Sequence, residues 1–430
     1  MPAFSTSFEK TFQKIGGRKK RARDCIFKSA CYNINENKRN FPKEYKNMST
    51  PDLSYIISMR RELHSIPEVG FDLPKTLALI RRELTALGIP FTEKYGKSSI
   101  VGYVGPENAE KTVALRADTD ALPVTEETGL PFSSTHEGKM HACGHDCHTA
   151  MLLGTAKMLK EAEAELPCRV MLVFQAAEEY APGGAKLMAD DGMCDGVDAI
   201  IACHVNMVMP LGTIALNEDV MSASSHGFFL DIYGKTSHVA QPHQGVDAIA
   251  IACRIYNDIQ IMRSRELPPL ARAIVGVGEF HGGAANNVIC DYVHMHGTIR
   301  THETEHDDYI YRRIGEIAKC LAEDAGGRAE LTTTKHYPVL KNDPKTAREV
   351  AAAARRAFPE ANVRTDINPS MGAEDFSFFL EKIPGAYFRI GARDVGEENI
   401  PLHNCRFSPN EKVLEYGPKI FFEYVMRGNY

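Results

Sequence analysis

Apolar residues recur at two spacings along the chain, and the order of these spacings predicts the architecture. Positions repeating about every 3.6 residues predict helices after Ser49, over residues 75–87 and, following His148, over residues 150–162. Short apolar runs typical of buried strands occupy residues 113–115, 169–175 and 199–203. Polar residues follow each of these runs, so we expect an α/β sheet with its functional site at the carboxyl ends of the strands.

The order of elements changes in the middle of the chain. Strand and helix patterns there follow one another as β-α-β-β-α-β, over residues 227–233, 248–263, 273–279, 292–300, 309–325 and 329–334. This order predicts a small antiparallel α+β domain of the ferredoxin-like type. After Pro338 the α/β pattern returns and ends in a helix over residues 411–426. We therefore expect a mixed-sheet α/β domain, residues 48–221 and 336–430, interrupted by a smaller domain at residues 222–335.

The composition of the 430 residues is that of a soluble globular protein of two or three domains, with 43% hydrophobic and 25% charged residues. The formal net charge of −6 argues against a protein that binds nucleic acid through its overall charge. No apolar run reaches the roughly 18 residues of a membrane helix, and no signal-peptide core occurs near the start. The 11 cysteines are odd in number and lack the spacing of a secreted disulfide framework, so we expect a reducing, cytoplasmic compartment.

Residues 1–47 differ from the rest of the chain. They are basic and polar, and they contain a basic cluster at Arg18, Lys19, Lys20, Arg21 and Arg23. We interpret this segment as a disordered extension, or as the product of a start codon upstream of Met48. A targeting or nucleic-acid-binding arm is the alternative, because short basic clusters also serve those roles.

Ligand-type side chains are concentrated between His141 and His148. This eight-residue segment contains three His, two Cys and one Asp. Cysteine and histidine are ligands that zinc and similar metals accept together with carboxylates. Gly144 permits the tight turn that directs Cys143 and His145 toward one point. A loop that is rich in histidine by chance is the alternative, but this density favours a metal or catalytic site.

Carboxylates follow two of the predicted strands. Glu178 and Glu179 come after the apolar run at residues 169–175, and in an extended chain they would point in opposite directions. One would then hold a metal while the other reaches the substrate, and a solvated surface pair is the alternative. Asp118 and Asp120 end another strand on one side of an extended segment, which suits support of a metal ligand or an N-cap and turn.

Single polar residues elsewhere carry weaker signals. His204 ends the predicted strand at residues 199–203, where it is either a ligand or a satisfied half-buried side chain. His238 lies in a loop of glycine and small residues, where a functional histidine is credible. Asn287 and Arg300 offer amide and guanidinium donors that bind carboxylates, although such residues also occur in ordinary turns and on surfaces.

Taken together, these segments resemble the dinuclear-metal amidohydrolase and carboxypeptidase family. The nearest branch contains hippurate hydrolase, N-acyl-amino-acid amidohydrolase and indoleacetyl-amino-acid hydrolase. The matching motifs run in family order from about Ser49 to the C-terminus: RRELH (60–64), PE (67–68), RADTDALP (116–123), HACGHDCH (141–148), AEE (177–179), GKTSHVAQPH (234–243), NVI (287–289), GTIR (297–300) and GAEDF (372–376). Cys147 and Cys290 depart from the branch, which commonly has Gly and Pro at those positions.

The resemblance implies two divalent metal ions per subunit, with Zn, Mn, Co and Ni as candidates. The ligands it implies are Cys143, His145, Glu179, His204 and His403. Three carboxylates remain as further ligands or as groups that support the ligands: Asp118, Asp120 and Asp146. The resemblance also implies that the smaller domain is a lid and a dimerisation domain.

Roles for residues around the metals follow from the same resemblance. Glu178 would be the general base. His238 would reach the active site of a partner subunit and polarise the scissile carbonyl, which implies a homodimer or a larger homo-oligomer. Asn287, Arg300 and the backbone amide of Gly372 would hold the free carboxylate of the substrate.

These features predict a metal-dependent amidohydrolase that cleaves small N-acyl amino acids such as hippurate and releases a carboxylic acid and an amino acid. A dipeptidase and an N-acetyl-diaminopimelate deacetylase are the alternatives on the same scaffold. A non-catalytic binding protein is disfavoured because Glu178 and the ligand set are present, and a structural zinc site because carboxylate and imidazole ligands dominate. We expect an acyl pocket for apolar or aromatic groups, because the motifs contain no second basic cluster. Neither nucleic acid nor a membrane is an expected partner.

Overall fold

The computed structural model describes residues 50–430, so the predicted basic extension over residues 1–47 lies outside the described part of the chain.

The α-helices of residues 50–430 are α1 (Leu53–Ser65), α2 (Pro74–Ala86), α3 (His145–Glu161), α4 (Gly184–Asp190), α5 (Ala248–Arg265), α6 (Thr304–Asp324), α7 (Pro344–Ala357), α8 (Ser377–Leu380) and α9 (Tyr416–Arg427). Short 3-10 helices cover Glu163–Glu165, Pro242–Gln244 and Glu411–Glu415. The strands are β1 (Phe91–Thr92), β2 (Ile100–Val104), β3 (Thr112–Asp118), β4 (Arg169–Gln175), β5 (Ala199–Pro210), β6 (Thr213–Ala215), β7 (Val220–Ser222), β8 (Ser225–Tyr233), β9 (Ser237–His238), β10 (Ala273–Gly282), β11 (Val288–Ile289), β12 (Tyr292–Thr301), β13 (Arg328–Tyr337), β14 (Leu340–Lys341), β15 (Asn362–Arg364) and β16 (Gly385–Arg393).

An eight-stranded mixed sheet with the order β1-β2-β4-β3-β5-β16-β6-β15 forms the larger part of the fold. The central strands β4, β3, β5 and β16 are parallel, whereas β1, β2 and β6 add antiparallel pairings. The central strands are nearly continuous apolar runs, as expected where both faces of a sheet are covered. Parallel register places Asp118 opposite Gln175 and Arg389 opposite His204. These four positions lie toward the carboxyl edge, where the candidate site is found.

A four-stranded antiparallel sheet with the order β10-β12-β8-β13 forms the smaller part of the fold. Apolar residues of β8, including Phe228 and Leu230, pack in one core with Ile251 of α5 and Ile310 of α6. Along the chain these elements follow the order β8-α5-β10-β12-α6-β13, with the fourth strand beside the first. The predicted fold class, a mixed-sheet α/β unit interrupted by a ferredoxin-like α+β unit, is therefore confirmed.

Local sequence explains several helix starts. Asp52 precedes α1, and its carboxylate accepts the backbone N–H of Tyr55 at 3.1 Å. Asp247 caps α5 in the same way. Asp343 caps α7 and is followed by Pro344, which is tolerated at the first helical position because no N–H is needed there.

Two element boundaries differ from the expectation. α3 begins at His145 rather than after His148, because Gly144 takes a left-handed conformation with φ 92° and acts as the N-cap. β5 continues to Pro210 instead of ending before His204, because its parallel ladder with β16 extends that far. The dense ligand-type segment is thus partly the first turn of a helix, and His204 lies within a strand.

No helix in residues 50–430 is long and apolar enough to cross a membrane. The cysteines in this described part of the chain are free thiols: Cys143, Cys147, Cys168, Cys194, Cys203, Cys253, Cys290, Cys320 and Cys405. One of them, Cys143, is buried at the carboxyl edge of the large sheet and belongs to the candidate site.

Candidate metal centre and cleft

The backbone conformation of Gly144 determines the position of the neighbouring Cys143 side chain. Its φ of 92° lies in the left-handed region, and a Cβ at this position would lie 2.4 Å from Cγ2 of Val205. The backbone therefore passes very close to β5. As a result, Sγ of Cys143 lies 3.4 Å from Nε2 of His204 on that strand.

Asp120 holds the turn that carries Glu178 and Glu179. Its carboxylate accepts the backbone N–H of Glu178 at 3.0 Å and that of Glu179 at 3.2 Å. The turn follows Ala177, whose φ of 55° is left-handed, so the chain is not extended here. Both carboxylates join His145 in one group of potential ligand atoms within 4.8 Å of one another. The predicted opposite orientation of the two glutamates is therefore wrong, because it assumed an extended chain.

His403 reaches the same centre from the C-terminal segment. Its φ of 65° is left-handed, a conformation in which histidine is enriched among non-glycine residues. Its backbone N–H donates to the carbonyl oxygen of Ala142 at 2.8 Å, which fixes the loop beside Cys143. Nε2 of His403 then lies 3.1 Å from Oε1 of Glu179.

The side chains expected as metal ligands converge in the structure. Potential ligand atoms of Cys143, His145 and His204 lie within 4.8 Å of one another. Those of Cys143, Glu179 and His403 form a second group at the same limit. Cys143 belongs to both groups, so the five side chains would hold metal ions around one common position.

The charges around Cys143 favour a bound cation. Burial raises the pKa of the Cys143 thiol well above its ordinary value, and the carboxylates of Glu179 and Glu178 raise it further. Burial alone would lower the pKa of His145, but the carboxylate of Asp118 reverses this effect and the pKa rises to about 10. A thiolate buried among several carboxylates is costly without compensating positive charge. A divalent metal ion would supply that charge.

The hydrogen bonds of His145 and His204 are also compatible with a role as metal ligands. Nδ1 of His145 donates to the carbonyl oxygen of Asp120 at 2.8 Å, and its buried Nε2 has no hydrogen-bond partner within residues 50–430. Nδ1 of His204 donates to the carbonyl oxygen of Val205 at 2.6 Å. Burial lowers the pKa of His204 well below its ordinary value, which favours the neutral ring. A neutral imidazole with one nitrogen held by a carbonyl oxygen, as in His204, is the usual form of a metal ligand.

Asp118 lies in a buried network beside the centre. It accepts hydrogen bonds from Nη1 of Arg116 at 2.7 Å and from Nδ1 of His148 at 2.6 Å. Nε2 of His148 in turn accepts the backbone N–H of Val205 at 3.0 Å. Both ring nitrogens of His148 are therefore used, so this histidine supports the site rather than offering a ligand. Asp118 itself remains within ligand distance of His145.

Asp146 lies apart from the centre. Its carboxylate accepts hydrogen bonds from Nε of Arg60 at 2.8 Å and from Nδ1 of His64 at 2.9 Å, and all three side chains are buried. It belongs to none of the potential ligand groups in residues 50–430. Of the two roles considered for Asp146, the geometry favours support, because the ion pair holds α1 against α3.

Glu178 borders the centre on the side that opens to solvent. The Tyr337 hydroxyl donates to its backbone carbonyl oxygen at 2.7 Å. Its carboxylate lies in one group with those of Glu374 and Asp375, both of which pair with Arg116. Burial and the charge of Glu374 raise the pKa of Glu178 well above its ordinary value. A buried carboxylate with a raised pKa suits proton transfer.

A cleft of about 860 Å³ opens from the centre between the two sheets. The large sheet contributes Tyr387 and Arg389 to its wall, and the small sheet contributes Arg300. Gly372 also lines the cleft, but its N–H donates to Oγ of Ser370 at 3.0 Å. The expected contact between the Gly372 amide and a substrate carboxylate would therefore require that hydrogen bond to break.

His238 and Asn287 lie outside the cleft of their own chain. Both are exposed, and they meet on the ladder of β9 and β11, where Val288 pairs with His238. The backbone carbonyl oxygen of Asn287 accepts the N–H of Val239 at 3.0 Å. Asn287 was expected to act together with Arg300, but the fold groups it with His238 instead.

The site also contains polar residues for which the sequence predicted no role: Arg116, His148, Tyr337, Glu374, Asp375 and Arg389. Arg116 was visible as a charged residue at the end of an apolar strand, which is a signal for a buried ion pair. Arg389 offered a similar signal within the apolar run of β16. The partners of these residues are distant in sequence, so their roles required the fold.

Comparison with known proteins identifies the family. A family model described as peptidase family M20/M25/M40 matches residues 114–427. The solved structure of the YXEP protein of Bacillus subtilis, described as a dinuclear metal-binding peptidase of the M20 family, superposes with a TM-score of 0.76. That protein is 32% identical, and the match covers 89% of this chain and 98% of that chain.

Two curated relatives are similar over most of their length. The N-acetyl-L-cysteine deacetylase of Bacillus subtilis is 37% identical over 381 residues, which cover 89% of each protein. The IAA-amino acid hydrolase ILR1-like 4 of Arabidopsis thaliana is 36% identical over 378 residues, covering 87% of this chain and 85% of that protein. Together with the candidate metal centre, these matches support the use of divalent metal. The chain belongs to peptidase family M20/M25/M40 and is a metal-dependent amidohydrolase.

Proposed function

We propose that the chain hydrolyses the amide bond of N-acyl amino acids and releases a carboxylic acid and a free amino acid. The observation that carries this proposal is the group of potential metal ligands around Cys143, with Glu178 beside it at the edge of an open cleft. The names of two relatives, an N-acetyl-L-cysteine deacetylase and an IAA-amino acid hydrolase, describe cleavage of the same type of bond.

The proposed metal site takes two divalent ions. The residues that would hold them are Cys143, His145, Glu179, His204 and His403. When bound, such ions polarise a substrate carbonyl and lower the pKa of a water molecule. Mixed thiolate, imidazole and carboxylate donors suit Zn²⁺, Mn²⁺, Co²⁺ or Ni²⁺. Cys143 must remain a reduced thiol to act as a ligand, which fits a reducing, cytoplasmic compartment.

Glu178 is the proposed general base. Asp120 and the Tyr337 hydroxyl hold its backbone at two points, so its carboxylate starts from a fixed position. Its raised pKa favours taking a proton from the attacking water and passing it to the leaving amine. Glu179 in the same turn would remain a ligand, because the nearby His403 and His145 keep its pKa below its ordinary value despite burial.

Arg300 is the proposed anchor for the substrate α-carboxylate. It extends from β12 to the cleft, and within residues 50–430 its guanidinium has no hydrogen bond or ion pair. Burial lowers its pKa, as expected for a cation that lacks a partner. A guanidinium of this kind recognises a carboxylate through two parallel hydrogen bonds.

The proposed assembly is a homodimer formed through the small sheet. β10 is the outer strand of that sheet, and Ile274 and Phe280 on it are exposed, as are Tyr256 and Ile261 on the neighbouring α5. An exposed apolar edge favours pairing with a second chain. In such a dimer, we propose that His238 enters the cleft of the partner and stabilises the oxyanion.

A substrate panel with controlled metal content tests this function. Purified protein is stripped with chelator, reloaded separately with Zn²⁺, Mn²⁺, Co²⁺ or Ni²⁺, and assayed with hippurate, N-acetyl amino acids, indoleacetyl amino acids and free dipeptides. We expect cleavage of N-acyl amino acids only after reloading, with a Glu178→Gln preparation as the control for contaminating hydrolases. Full activity in protein proven to be metal-free, or turnover of dipeptides alone, would contradict the proposal.

A further inference from the structure

Arg389 lies on the wall of the cleft and faces the metal centre. It belongs to β16, where it pairs in parallel register with His204 of β5. Paired residues on neighbouring strands point to the same face of a sheet, and so do residues two apart on one strand. Arg389 therefore shares its face with His204 and with Tyr387, and all three line the cleft. It comes from outside every motif that suggested the family.

The guanidinium of Arg389 is not neutralised by any group in the part of the chain that the structure describes. Within residues 50–430, Arg389 has no hydrogen bond and no ion pair, although it is only partly exposed. Other arginines in the same region do have partners. Arg116 is paired with Asp118 and Asp375, and Arg393 on the same strand donates to the carbonyl oxygens of Met207 at 3.1 Å and Glu397 at 2.8 Å.

Carboxylates that line the cleft have partners other than Arg389. Glu374 pairs with Arg116 at 3.1 Å, and Glu179 lies 3.1 Å from His403. Glu178 lies in one group with Glu374 and Asp375, both of which pair with Arg116, and in another with His145. Within residues 50–430, two guanidiniums that line this cleft, Arg300 on one sheet and Arg389 on the other, therefore have no ion pair. A partly buried arginine of this kind is stabilised when a ligand supplies a carboxylate.

We propose that Arg389 binds a second carboxylate of the substrate, so that the preferred substrates are N-acyl amino acids with two carboxylates. This inference rests on the proposed function and assigns Arg300 to the α-carboxylate. The second carboxylate belongs either to a dicarboxylic acyl group or to an acidic amino-acid side chain. Both sources present the same chemistry to a guanidinium, and substrates distinguish them. A carboxylate on the acyl group would replace the expectation of an acyl pocket for apolar or aromatic groups, whereas one on the amino-acid side chain would leave that expectation in place.

Matched substrate pairs test the role of Arg389. One pair is N-acetyl-L-glutamate and N-acetyl-L-glutamine, which places the extra charge on the amino acid. The other is N-succinyl-L-leucine and its terminal amide, which places the charge on the acyl group. The measured quantity is the ratio of kcat/KM within each pair. We expect the metal-loaded wild type to favour the dicarboxylate by about 10-fold or more in one pair, and that pair identifies the source.

Substitutions of Arg389 test whether this residue causes the preference for the dicarboxylate, measured as the ratio of kcat/KM within each pair. We expect Arg389→Gln to bring the ratio close to one, a reduction of about 10-fold or more, mainly through KM, since a charged hydrogen-bonded pair is lost. Arg389→Lys, which keeps the charge but not the planar fork, is expected to give an intermediate ratio. The control is Arg355→Gln, which removes one exposed positive charge from α7 outside the cleft and is expected to keep the wild-type ratio.

The outcomes separate this inference from the proposed function. Cleavage of all four substrates with ratios near one in the wild type would overturn the role of Arg389 and leave N-acyl amino acid hydrolysis intact. Equal ratios in the wild type and Arg389→Gln would do the same. If Arg389→Gln does not fold, a wild-type ratio in Arg389→Lys overturns the inference instead. Failure to cleave any N-acyl amino acid would overturn both proposals.

Discussion

The carboxylate of Asp120 accepts the backbone N–H of Glu178 at 3.0 Å, so a residue that follows β3 fixes a residue that follows β4. The two strands are parallel neighbours with Asp118 opposite Gln175, which brings the segments after them side by side. The carbonyl oxygen of Asp120 also accepts the Nδ1 hydrogen of His145 at 2.8 Å. Asp120 therefore positions the proposed base and one proposed ligand at the same time.

Replacing Asp120 tests this positioning. We expect Asp120→Ala to lower kcat/KM by about 10- to 100-fold, because the turn that carries Glu178 loses the acceptor of two backbone N–H groups. Asp120→Asn keeps one carbonyl oxygen and is expected to lose less. Kinetics and metal content are measured on the same preparations. Wild-type values of both in Asp120→Ala would show that the turn holds its shape without the carboxylate.

Gly144 offers a test of how closely the ligand loop packs on β5. We expect Gly144→Ala to lower the free energy of unfolding by about 2–4 kcal/mol, because left-handed strain adds to a clash with Val205. Gly88→Ala is the matched control, since Gly88 is also left-handed with φ 64° but a Cβ there would have no other atom within 4 Å. Its expected cost is only the strain of about 1–2 kcal/mol. Equal losses in denaturant unfolding of the two variants would contradict the close approach.

Sequence periodicity was sufficient for the fold class and for the region of the site. Parallel strands end at one edge, so polar residues after β3 and β4 had to meet there once the α/β order was recognised. The turn geometry was not predictable, because the left-handed conformation of Ala177 is stabilised by contacts such as the bond from Gly184 to its carbonyl oxygen. The pairing that extends β5 past His204 was equally hidden, since β16 lies far along the chain.

The ion-pair partners of the charged residues in and around the site were also not predictable from the sequence. Asp146 stands within the ligand-type segment, yet helix α3 turns it toward Arg60 and His64. Arg389 has no ion pair within residues 50–430, and the strand register brings it to the cleft. Such pairings depend on long-range packing and not on local propensity.

Substitutions of Glu178 and Glu179 are expected to have different effects on metal binding and catalysis. Glu178→Gln should keep its metal and lose about 10²- to 10⁴-fold in kcat, the usual contribution of a proton-transfer group. Glu179→Gln should lose metal affinity as well, because its carboxylate lies within ligand distance of Cys143 and His403. Metal analysis and kcat are measured together at saturating metal. Wild-type turnover by metal-loaded Glu178→Gln would refute the assignment of the base.

The buried pair of Glu126 and His64 predicts a pH dependence of stability. Burial would raise the pKa of Glu126, but hydrogen bonds from His64 and from the N–H of Ser134 lower it to about 2. A carboxyl group with a lowered folded-state pKa stabilises the fold above its ordinary pKa, and this contribution is lost as the pH falls toward the folded value. We expect the wild type to exceed Glu126→Gln in unfolding free energy at about pH 6, with a difference that shrinks toward about pH 3.

That measurement is made by denaturant unfolding with chelator present throughout, because protonation of metal ligands would otherwise add its own pH dependence. A substitution of the exposed Glu397 by Gln is the control for a general effect of charge. A difference between wild type and Glu126→Gln that stays constant over the acidic range would mean that the Glu126 carboxyl does not change its ionisation on folding.

The position of His238 predicts that two chains share each active site. It is exposed on β9 and does not line the cleft of its own chain, so a catalytic role requires a second chain. His238→Ala and Glu178→Gln should each be inactive alone. The two variants are then mixed one to one under conditions that exchange subunits. Half of the dimers become heterodimers, and each heterodimer has one intact site out of two, so about a quarter of the wild-type activity is expected.

The control is His243→Ala, which removes a nearby exposed histidine and should remain active alone. Heterodimers proven to form by differential tagging, yet without recovered activity, would exclude action of His238 across the interface.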